Sequence, residues 1–382
     1  MKTTTAQDIN NDFPDDFEYE IQLRLPPKSL SRFQSVSKFW GNQILDPSFR
    51  DIYHMGSKKN PKIIFFKTQV SSFGENPLVA EWVCFNTKTL SLYNIFTTKG
   101  TRVCPTNMMV TPQGMMCYAG TKNNMMESQI FLYSLSSKQL LELPMDSSSG
   151  FSKAPIASFG IGYIPSIKKF KLALLYINVT PSNVPYPHFK CQVIEINNNS
   201  LGDGTTNYSN WRVVDEHITD LVDSSHSTVL VESTLNWKSC CDAVIISFDL
   251  ESEKFRMLNY PSGVNVSLHS TNKLYLVNLQ EKLGLLIVDS ITQDASLWKL
   301  QDHGSHTWEK RYNFSLAEAF CSNHLWPIYV QDEEIVIHSE GGLVFYNLKN
   351  NTFKILDINV NLNDLSLGQV GLPVLNQSLM QE

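Results

Sequence analysis

Two histidines offer the clearest prospect of metal chemistry in this sequence. His303 and His306 stand three residues apart in the segment DHGSHTW, on either side of Gly304. A zinc site needs three or four His, Cys or carboxylate ligands at characteristic spacings, and this segment supplies two. We interpret it as a solvated turn, and we expect no bound metal and no cofactor.

Candidate nucleophiles and acids are equally isolated. Cys240 and Cys241 are adjacent, a spacing that seldom suits a disulfide, and Lys238 is the nearest base that could lower a thiol pKa. Glu333 and Glu334 stand in QDEEIVI, where acidic residues commonly precede a strand. The sequence has no HExxH, nucleophile-elbow or phosphate-loop pattern, so we predict a protein that is not an enzyme.

Four tryptophans have two interpretations. They could stack against a ligand, or they could pack between structural repeats. Because they recur within the repeated phrase described below, we favour packing. They are Trp211, Trp237, Trp298 and Trp308.

Composition and charge restrict the class of partner. The chain has 382 residues and a formal charge of −6, from 31 basic and 37 acidic residues without long runs. That pattern gives no footprint for nucleic acid or an anionic membrane, and the apolar stretch 172–179 is too short to span a bilayer. The seven scattered cysteines and an N-terminus without an apolar region favour the cytoplasm, the nucleus or both. We therefore expect protein partners.

The segment 13–49 reads as three short helices. Pro14 suits a first helical turn, and Pro26 and Pro27 end the pattern of Phe17, Ile21 and Leu25. Further helices are predicted over 28–36 and from residue 37 to Asp46 and Pro47. So small a unit needs a partner or a neighbouring domain, which indicates a binding surface.

This segment resembles the F-box in the form common in plants, and it matches that pattern without gaps. The retained residues are Pro14, Asp15, Asp16, Glu20, Ile21, Leu23, Arg24, Leu25, Pro26, Lys28, Ser29, Leu30, Arg32, Phe33, Val36, Ser37, Lys38, Trp40, Ile44, Pro47 and Phe49. The residues that depart from it are Phe13, Phe17, Glu18, Gln22, Ser35 and Gly41. The resemblance implies docking on an SKP-type adaptor, and through it on cullin and RING subunits.

The resemblance also implies which residues contact the adaptor. They are Phe13, Pro14, Ile21, Leu23, Leu25, Pro26, Leu30, Val36 and Trp40. The alternative is that the three helices merely cap the larger domain.

Beyond residue 61 the sequence changes to alternating β patterns and contains a repeated phrase. An apolar strand ends in an aromatic or aliphatic anchor, and a polar turn and a second strand follow. The six anchors, 47 to 61 residues apart, are Phe85, Tyr133, Ile194, Phe248, Trp298 and Phe345. Six copies predict an all-β, six-bladed propeller that closes by pairing residues 62–66 with residues 343–356.

This region is similar to the kelch-like F-box-associated domain of plants. The similarity is carried by FGIGYIPSIKKFKLALLY, VESTLNW, VIISFDLESEKFRMLNYP, KLGLLIV and ASLWKLQDHGSHTWEKRY. The predicted organisation is a disordered start over 1–12, the F-box over 13–55, the propeller over 61–358 and a tail over 359–382 whose weak patterning is compatible with disorder.

Three long loops of the repeat are candidates for target binding, at 146–155, 180–188 and 197–210. In the last two and beside them, Tyr186, His188, Phe189 and Tyr208 are predicted to contact a protein target. The resemblance implies a substrate-recognition subunit of an SCF-type ubiquitin ligase. Two alternatives remain open: a propeller that binds protein or glycan without a ligase, and a propeller glycan hydrolase.

Overall fold

The computed structural model describes residues 15–25, 32–33, 36–46, 49, 62–69, 79–86, 91–99, 101–122, 128–135, 138–145, 156–178, 188–197, 208–218, 222–223, 228–240, 244–264, 271–319, 325–331, 333–339 and 342–356. Its contacts divide the chain into two compact units. They are Met1–Pro61 together with Val374–Glu382, and Lys62–Pro373.

Two helices are described in the first unit. Helix α1 spans Asp15–Arg24, directly after the proline that suits a first turn, and α2 spans Lys38–Leu45. Ser37 before α2 is extended, with φ −144°, so the chain turns sharply into the helix. The second predicted segment, 28–36, lies mostly outside the described residues. Neither described helix is long and apolar enough to cross a membrane.

The second unit is built from strands of three to ten residues. They are β1 (Lys62–Gln69), β2 (Val79–Asn86), β3 (Ser91–Lys99), β4 (Thr101–Val110), β5 (Met115–Lys122), β6 (Ser128–Ser134), β7 (Gln139–Leu143), β8 (Ile156–Ile164), β9 (Lys169–Asn178), β10 (His188–Asn197), β11 (Arg212–Ile218), β12 (Val229–Val231), β13 (Thr234–Lys238), β14 (Val244–Asp249), β15 (Lys254–Asn259), β16 (Asn272–Leu279), β17 (Lys282–Asp289), β18 (Asp294–Asp302), β19 (Thr307–Ser315), β20 (Trp326–Gln331), β21 (Glu334–Ser339), β22 (Gly342–Asn347) and β23 (Thr352–Leu356).

The described strands form five sheets of the propeller type. In the order of hydrogen-bonded neighbours they are β1-β2-β3, β4-β5-β6-β7, β11-β10-β9-β8, β12-β13-β14-β15 and β19-β18-β17-β16-β20-β21-β22-β23. Sequential neighbours pair antiparallel, as short connections require. The pair β16 and β20 is parallel, and it meets at Leu279 and Val330.

The predicted fold class is a three-helix F-box followed by a six-bladed propeller, and its prediction of six blades is wrong. The described strands form five sheets, with three strands in the first and eight in the last. The predicted closure is not formed by the described residues: β1, which holds residues 62–66, is an edge strand of the first sheet, and β23, which ends residues 343–356, is an edge strand of the last, with no pairing between them. The number of repeats is the number of copies of a sequence phrase, whereas a sheet is defined by the backbone hydrogen bonds between its strands. The bridge at Leu279 and Val330 joins two groups of four strands into one sheet.

The six anchors nevertheless share one structural position. Each lies on the last strand but one, in chain order, of its run of three or four antiparallel strands. The anchors and their strands are Phe85 on β2, Tyr133 on β6, Ile194 on β10, Phe248 on β14, Trp298 on β18 and Phe345 on β22. The period of the sequence therefore follows the arrangement of strands, although it does not give the number of sheets.

Two glycines of β8 allow a neighbouring sheet to approach closely. A Cβ atom at Gly160 would lie 2.6 Å from Cδ2 of Leu235, and one at Gly162 would lie 2.5 Å from Cδ1 of Leu250. Both leucines are buried in one apolar cluster, together with residues of β8 to β10. The glycines of the FGIGYI phrase therefore serve sheet packing, because any side chain there would displace a core residue.

Candidate functional site

An apolar cluster holds the helical unit together. Ile44 of α2 and Phe49 are buried in it, and the ring of Tyr19 from α1 meets that of Phe49 edge to face, with centroids 5.3 Å apart. Nε1 of Trp40 donates a hydrogen bond of 3.1 Å to Oε2 of Glu18. Ring packing and this bond tie α1 to α2, which gives the unit a defined surface.

That surface exposes large apolar side chains. Ile21 of α1 is 44% exposed, Val36 just before α2 is 72% exposed, and Phe39 of α2 is 53% exposed. Exposed apolar side chains concentrated on so small a unit mark an interaction surface, because their burial against a partner would be favourable.

A groove of about 310 Å³ lies beside Phe39. Its lining combines aromatic rings with amide and carboxylate groups from α2 and the residues that follow it. The lining residues are Tyr19, Phe39, Asn42, Gln43, Asp46 and Phe49. The helical unit thus offers both an apolar contact and polar groups that could fix the orientation of a partner.

Two of the residues that depart from the F-box pattern, Gln22 and Gly41, are buried. Both polar atoms of the Gln22 side chain are buried and have no hydrogen-bond partner among the described residues, which costs free energy. Gly41 lies in α2, where its backbone N–H donates to the carbonyl of Ser37 at 2.8 Å. The substitution at Gln22 therefore bears on the stability of the helical unit, since the side chain is buried inside it.

The predicted adaptor-contacting residues divide into three groups. Ile21 and Val36 are exposed, whereas Leu23, Leu25 and Trp40 are partly buried and pack against the apolar cluster. The remaining four, Phe13, Pro14, Pro26 and Leu30, lie outside the residues whose side chains are described. Sequence reasoning missed Phe39, since the F-box pattern prescribes no residue type there. The one indication in the sequence was that Phe39 is a large apolar residue next to Trp40.

The predicted target-contacting residues are not brought to one surface by the described structure. Phe189 is 2% exposed and packs in the core, and Tyr208 is partly buried against the same cluster. His188 begins β10, but its side chain lies outside the described set, as do Tyr186 and most of the three loops. The set as a whole stays a prediction, with a packing role visible for Phe189.

The histidines of DHGSHTW lie in a turn stabilised by its own side chains. Asp302 accepts a backbone hydrogen bond from Ser305 at 2.8 Å, and His306 accepts one from Asn259 at 3.3 Å. Burial, with Lys282 nearby, lowers the pKa of His303 below its ordinary value. In the described ranges, no three His, Cys, Asp or Glu side chains lie close enough together to hold a metal ion.

The four tryptophans take packing positions. Trp237 is buried, and the other three are partly buried with their indole N–H groups donating within the chain. Trp211 donates to the backbone carbonyl of Pro144 at 2.6 Å, and Trp308 donates to the backbone carbonyl of Asn259 at 2.9 Å. Trp298 donates to the side-chain hydroxyl of Ser296 at 3.0 Å. Intramolecular partners for each indole favour the structural interpretation.

Among the other candidate chemical groups, Cys240 is exposed and Cys241 lies outside the described residues. Burial raises the pKa of the Cys117 and Cys191 thiols, which keeps them protonated and unreactive. Glu333 lies 3.6 Å from Lys349 in an exposed ion pair. Burial raises the pKa of Glu334, whose side chain meets Tyr329.

Comparison with known proteins places the chain among F-box proteins. The family model described as the F-box associated beta propeller domain matches residues 57–370. F-box protein At5g65850 of Arabidopsis thaliana is 27% identical over 308 residues, which cover 78% of this chain and 69% of the relative. F-box protein At5g49610 of the same organism is 21% identical over 360 residues, with 90% of each chain covered.

Solved structures resemble the chain more distantly. An oligogalacturonate lyase from Vibrio parahaemolyticus is 12% identical with a TM-score of 0.40, and the match covers 78% of this chain and 86% of the lyase. The beta-propeller domain of the Trilobed protease from Pyrococcus furiosus is 8% identical with a TM-score of 0.38, and the match covers 78% of this chain and 82% of that one.

Proposed function

Because the chain belongs to the family of the F-box associated beta propeller domain, we propose that it is the substrate-recognition subunit of an SCF-type ubiquitin ligase. The F-box docks on an SKP-type adaptor that is bound to cullin and RING subunits. The sheets of the second unit hold a target protein. The chain acts in the cytoplasm, the nucleus or both, and it makes and breaks no bonds itself.

The observation that carries the proposal is the exposed apolar surface of the helical unit. Ile21, Val36 and Phe39 are all more than two-fifths exposed, and a groove lies beside Phe39. Fully burying one such side chain against a partner contributes about 2 kcal/mol. Together the three contribute several kcal/mol toward docking, and the contacts along the groove add to this against a cost of association of about 4–15 kcal/mol.

The mechanism is proximity. An adaptor bound at the helical unit and a target bound at the sheets are joined by one chain, so the target is presented to activated ubiquitin at high effective concentration. Lysines of the target then react at the catalytic subunits of the ligase. The recognition subunit contributes position alone.

A co-precipitation experiment tests adaptor docking. The full chain is expressed with an SKP-type adaptor and a cullin, and capture of both is measured for the wild type and for Val36→Asp and Phe39→Asp. Each substitution removes one apolar contact and buries a charge, so we expect capture to fall at least about thirtyfold. Leu25→Ala and Trp40→Ala are less suitable probes, because both side chains also pack within the unit.

The matched control is Ile291→Asp. Ile291 lies in the turn between β17 and β18 and is 76% exposed, so the same chemical change is made on an exposed aliphatic residue of the other unit. Capture of the adaptor should be unchanged. If the wild type does not capture the adaptor, or if all three variants lose capture equally, the proposal fails.

A further inference from the structure

A cleft of about 170 Å³ opens beside the contact between β16 and β20. It lies within the second unit, where two groups of four strands join into one sheet. Its lining comes from β16, β18, β19, β20 and the turns after β16, before β21 and after β22. The lining residues are Leu279, Gln280, Lys299, Arg311, Tyr312, Val330, Glu333 and Leu348.

A β-bulge places two consecutive residues of β19 in this cleft. Trp298 of β18 faces Lys310, and the next pair is Leu297 with Tyr312, so Arg311 is an extra residue in β19. A regular strand would direct Arg311 and Tyr312 to opposite faces. Bulges re-aim side chains and are common beside functional sites. Here the bulge brings Arg311 to the same cleft as Tyr312.

The walls of the cleft are apolar. Leu279, Val330 and Leu348 are all buried, and they belong to the same apolar cluster. The backbone N–H of Leu348 donates to the carbonyl of Glu333 at 2.7 Å, which fixes the turns at this side. The cleft is therefore a formed depression with walls that favour an aliphatic group.

The charges at the cleft are predominantly positive. Lys299 is partly buried and, within the described ranges, makes no ion pair, although its backbone faces that of Glu309 across the two strands. Arg311 lies 3.0 Å from Glu309, and Lys349 lies 3.6 Å from Glu333. Both pairs are exposed and are weakened by solvent and salt. Lys299 is thus the cation whose charge is not offset by a pair.

We propose that this cleft binds a carboxylate side chain of the target protein together with an adjacent aliphatic residue. The carboxylate lies between the ammonium group of Lys299 and the guanidinium of Arg311, and the aliphatic group packs on Leu279, Val330 and Leu348. This proposal rests on the proposed function and specifies how the target protein is recognised. The cleft is smaller than the roughly 300–1,000 Å³ of typical small-molecule sites, which suits one side chain better than a whole ligand.

Fluorescence anisotropy with a defined peptide tests the cleft. The probe is a labelled hexapeptide in which glutamate and leucine alternate, and the reference peptide has glutamine in place of glutamate. We expect the full chain to bind the acidic peptide about tenfold more tightly than the reference. The double variant Lys299→Met with Arg311→Met should lose about that factor, and rising salt should reduce the affinity of the wild type.

Lys310→Met, compared with Arg311→Met alone, is the matched control. Each removes one positive charge from β19, but Nζ of Lys310 lies 4.8 Å from the ring of Trp298, outside the cleft lining. Equal binding of the two peptides, binding of neither, or an equal loss with Lys310→Met would overturn the cleft proposal. Adaptor capture is measured for the same samples. If it stays intact while peptide binding fails, only the cleft is refuted, whereas loss of capture by the wild type refutes the proposed function.

Discussion

Nε1 of Trp237 donates a hydrogen bond of 3.0 Å to Oγ of Ser158, and this buried bond joins two sheets. Trp237 lies on β13 and Ser158 on β8. Oγ of Ser158 also lies 3.3 Å from Oγ1 of Thr228, whose hydroxyl donates to the carbonyl of Phe159. Every side chain of this network has a partner, as buried polar groups require.

The substitution Ser158→Ala should destabilise the protein. It leaves the indole N–H of Trp237 buried without an acceptor, at a cost of about 1–3 kcal/mol in the free energy of unfolding. Urea unfolding of the full chain, followed by tryptophan fluorescence, measures the change. Ser252→Ala, in the exposed turn between β14 and β15, should stay within about 0.5 kcal/mol of the wild type. Equal losses in the two variants would contradict the role of the network.

Gly160→Val tests the close approach of the sheets. The new side chain would overlap Leu235 and Thr228, which lie 2.6 and 2.9 Å from the position of its Cβ atom. Overpacking of this kind costs about 1–3 kcal/mol. Thermal unfolding of both variants measures the effect, with Gly304→Val as the control, because the nearest atom to a Cβ at Gly304 is 3.6 Å away on Asp302. A Gly160→Val protein as stable as the Gly304→Val protein would refute this account.

The helical and repeat features of this chain are local and could be read from sequence. The spacing of Trp40 and Ile44 indicates a helix, and the phrase around Phe85 indicates strands with a period. The number of sheets could not be read, because it depends on the bridge between Leu279 and Val330, which are distant in sequence. The cationic cleft was missed for a similar reason, since Arg311 reaches it through a bulge that no residue pattern announces.

His338 should make stability depend on pH in the weakly acidic range. Within the part of the chain that the structure describes, both nitrogens of its buried ring lack a hydrogen-bond partner, and burial lowers the pKa of His338 to about 4. The unfolded chain, with an ordinary pKa near 6.5, takes up the proton first, so stability is full above pH 6.5 and falls as the pH decreases towards 4. Between pH 7 and 5 the loss is about 2 kcal/mol.

Urea unfolding at pH 7 and pH 5 measures that loss. The variant His338→Leu has no ring to protonate. Between pH 7 and pH 5 its free energy of unfolding should therefore fall by about 2 kcal/mol less than that of the wild type. His303→Leu is the comparison, because His303 lies in a partly exposed turn and its pKa is lowered less. A wild type and a His338→Leu variant with the same pH dependence would exclude His338 as the cause.

Gln22→Leu should stabilise the helical unit. Leucine restores an apolar residue at a position where the buried amide has no partner in the described structure, and it removes a desolvation cost of about 1–3 kcal/mol. Hydrogen exchange of the full chain, followed by mass spectrometry of the peptide that contains α1, should slow at least about fivefold, the factor that corresponds to 1 kcal/mol. Lys38→Leu, an exposed position of α2, should leave exchange in α1 unchanged. Faster exchange in Gln22→Leu would mean that the amide forms a compensating bond, and the departure from the F-box pattern would then support the unit.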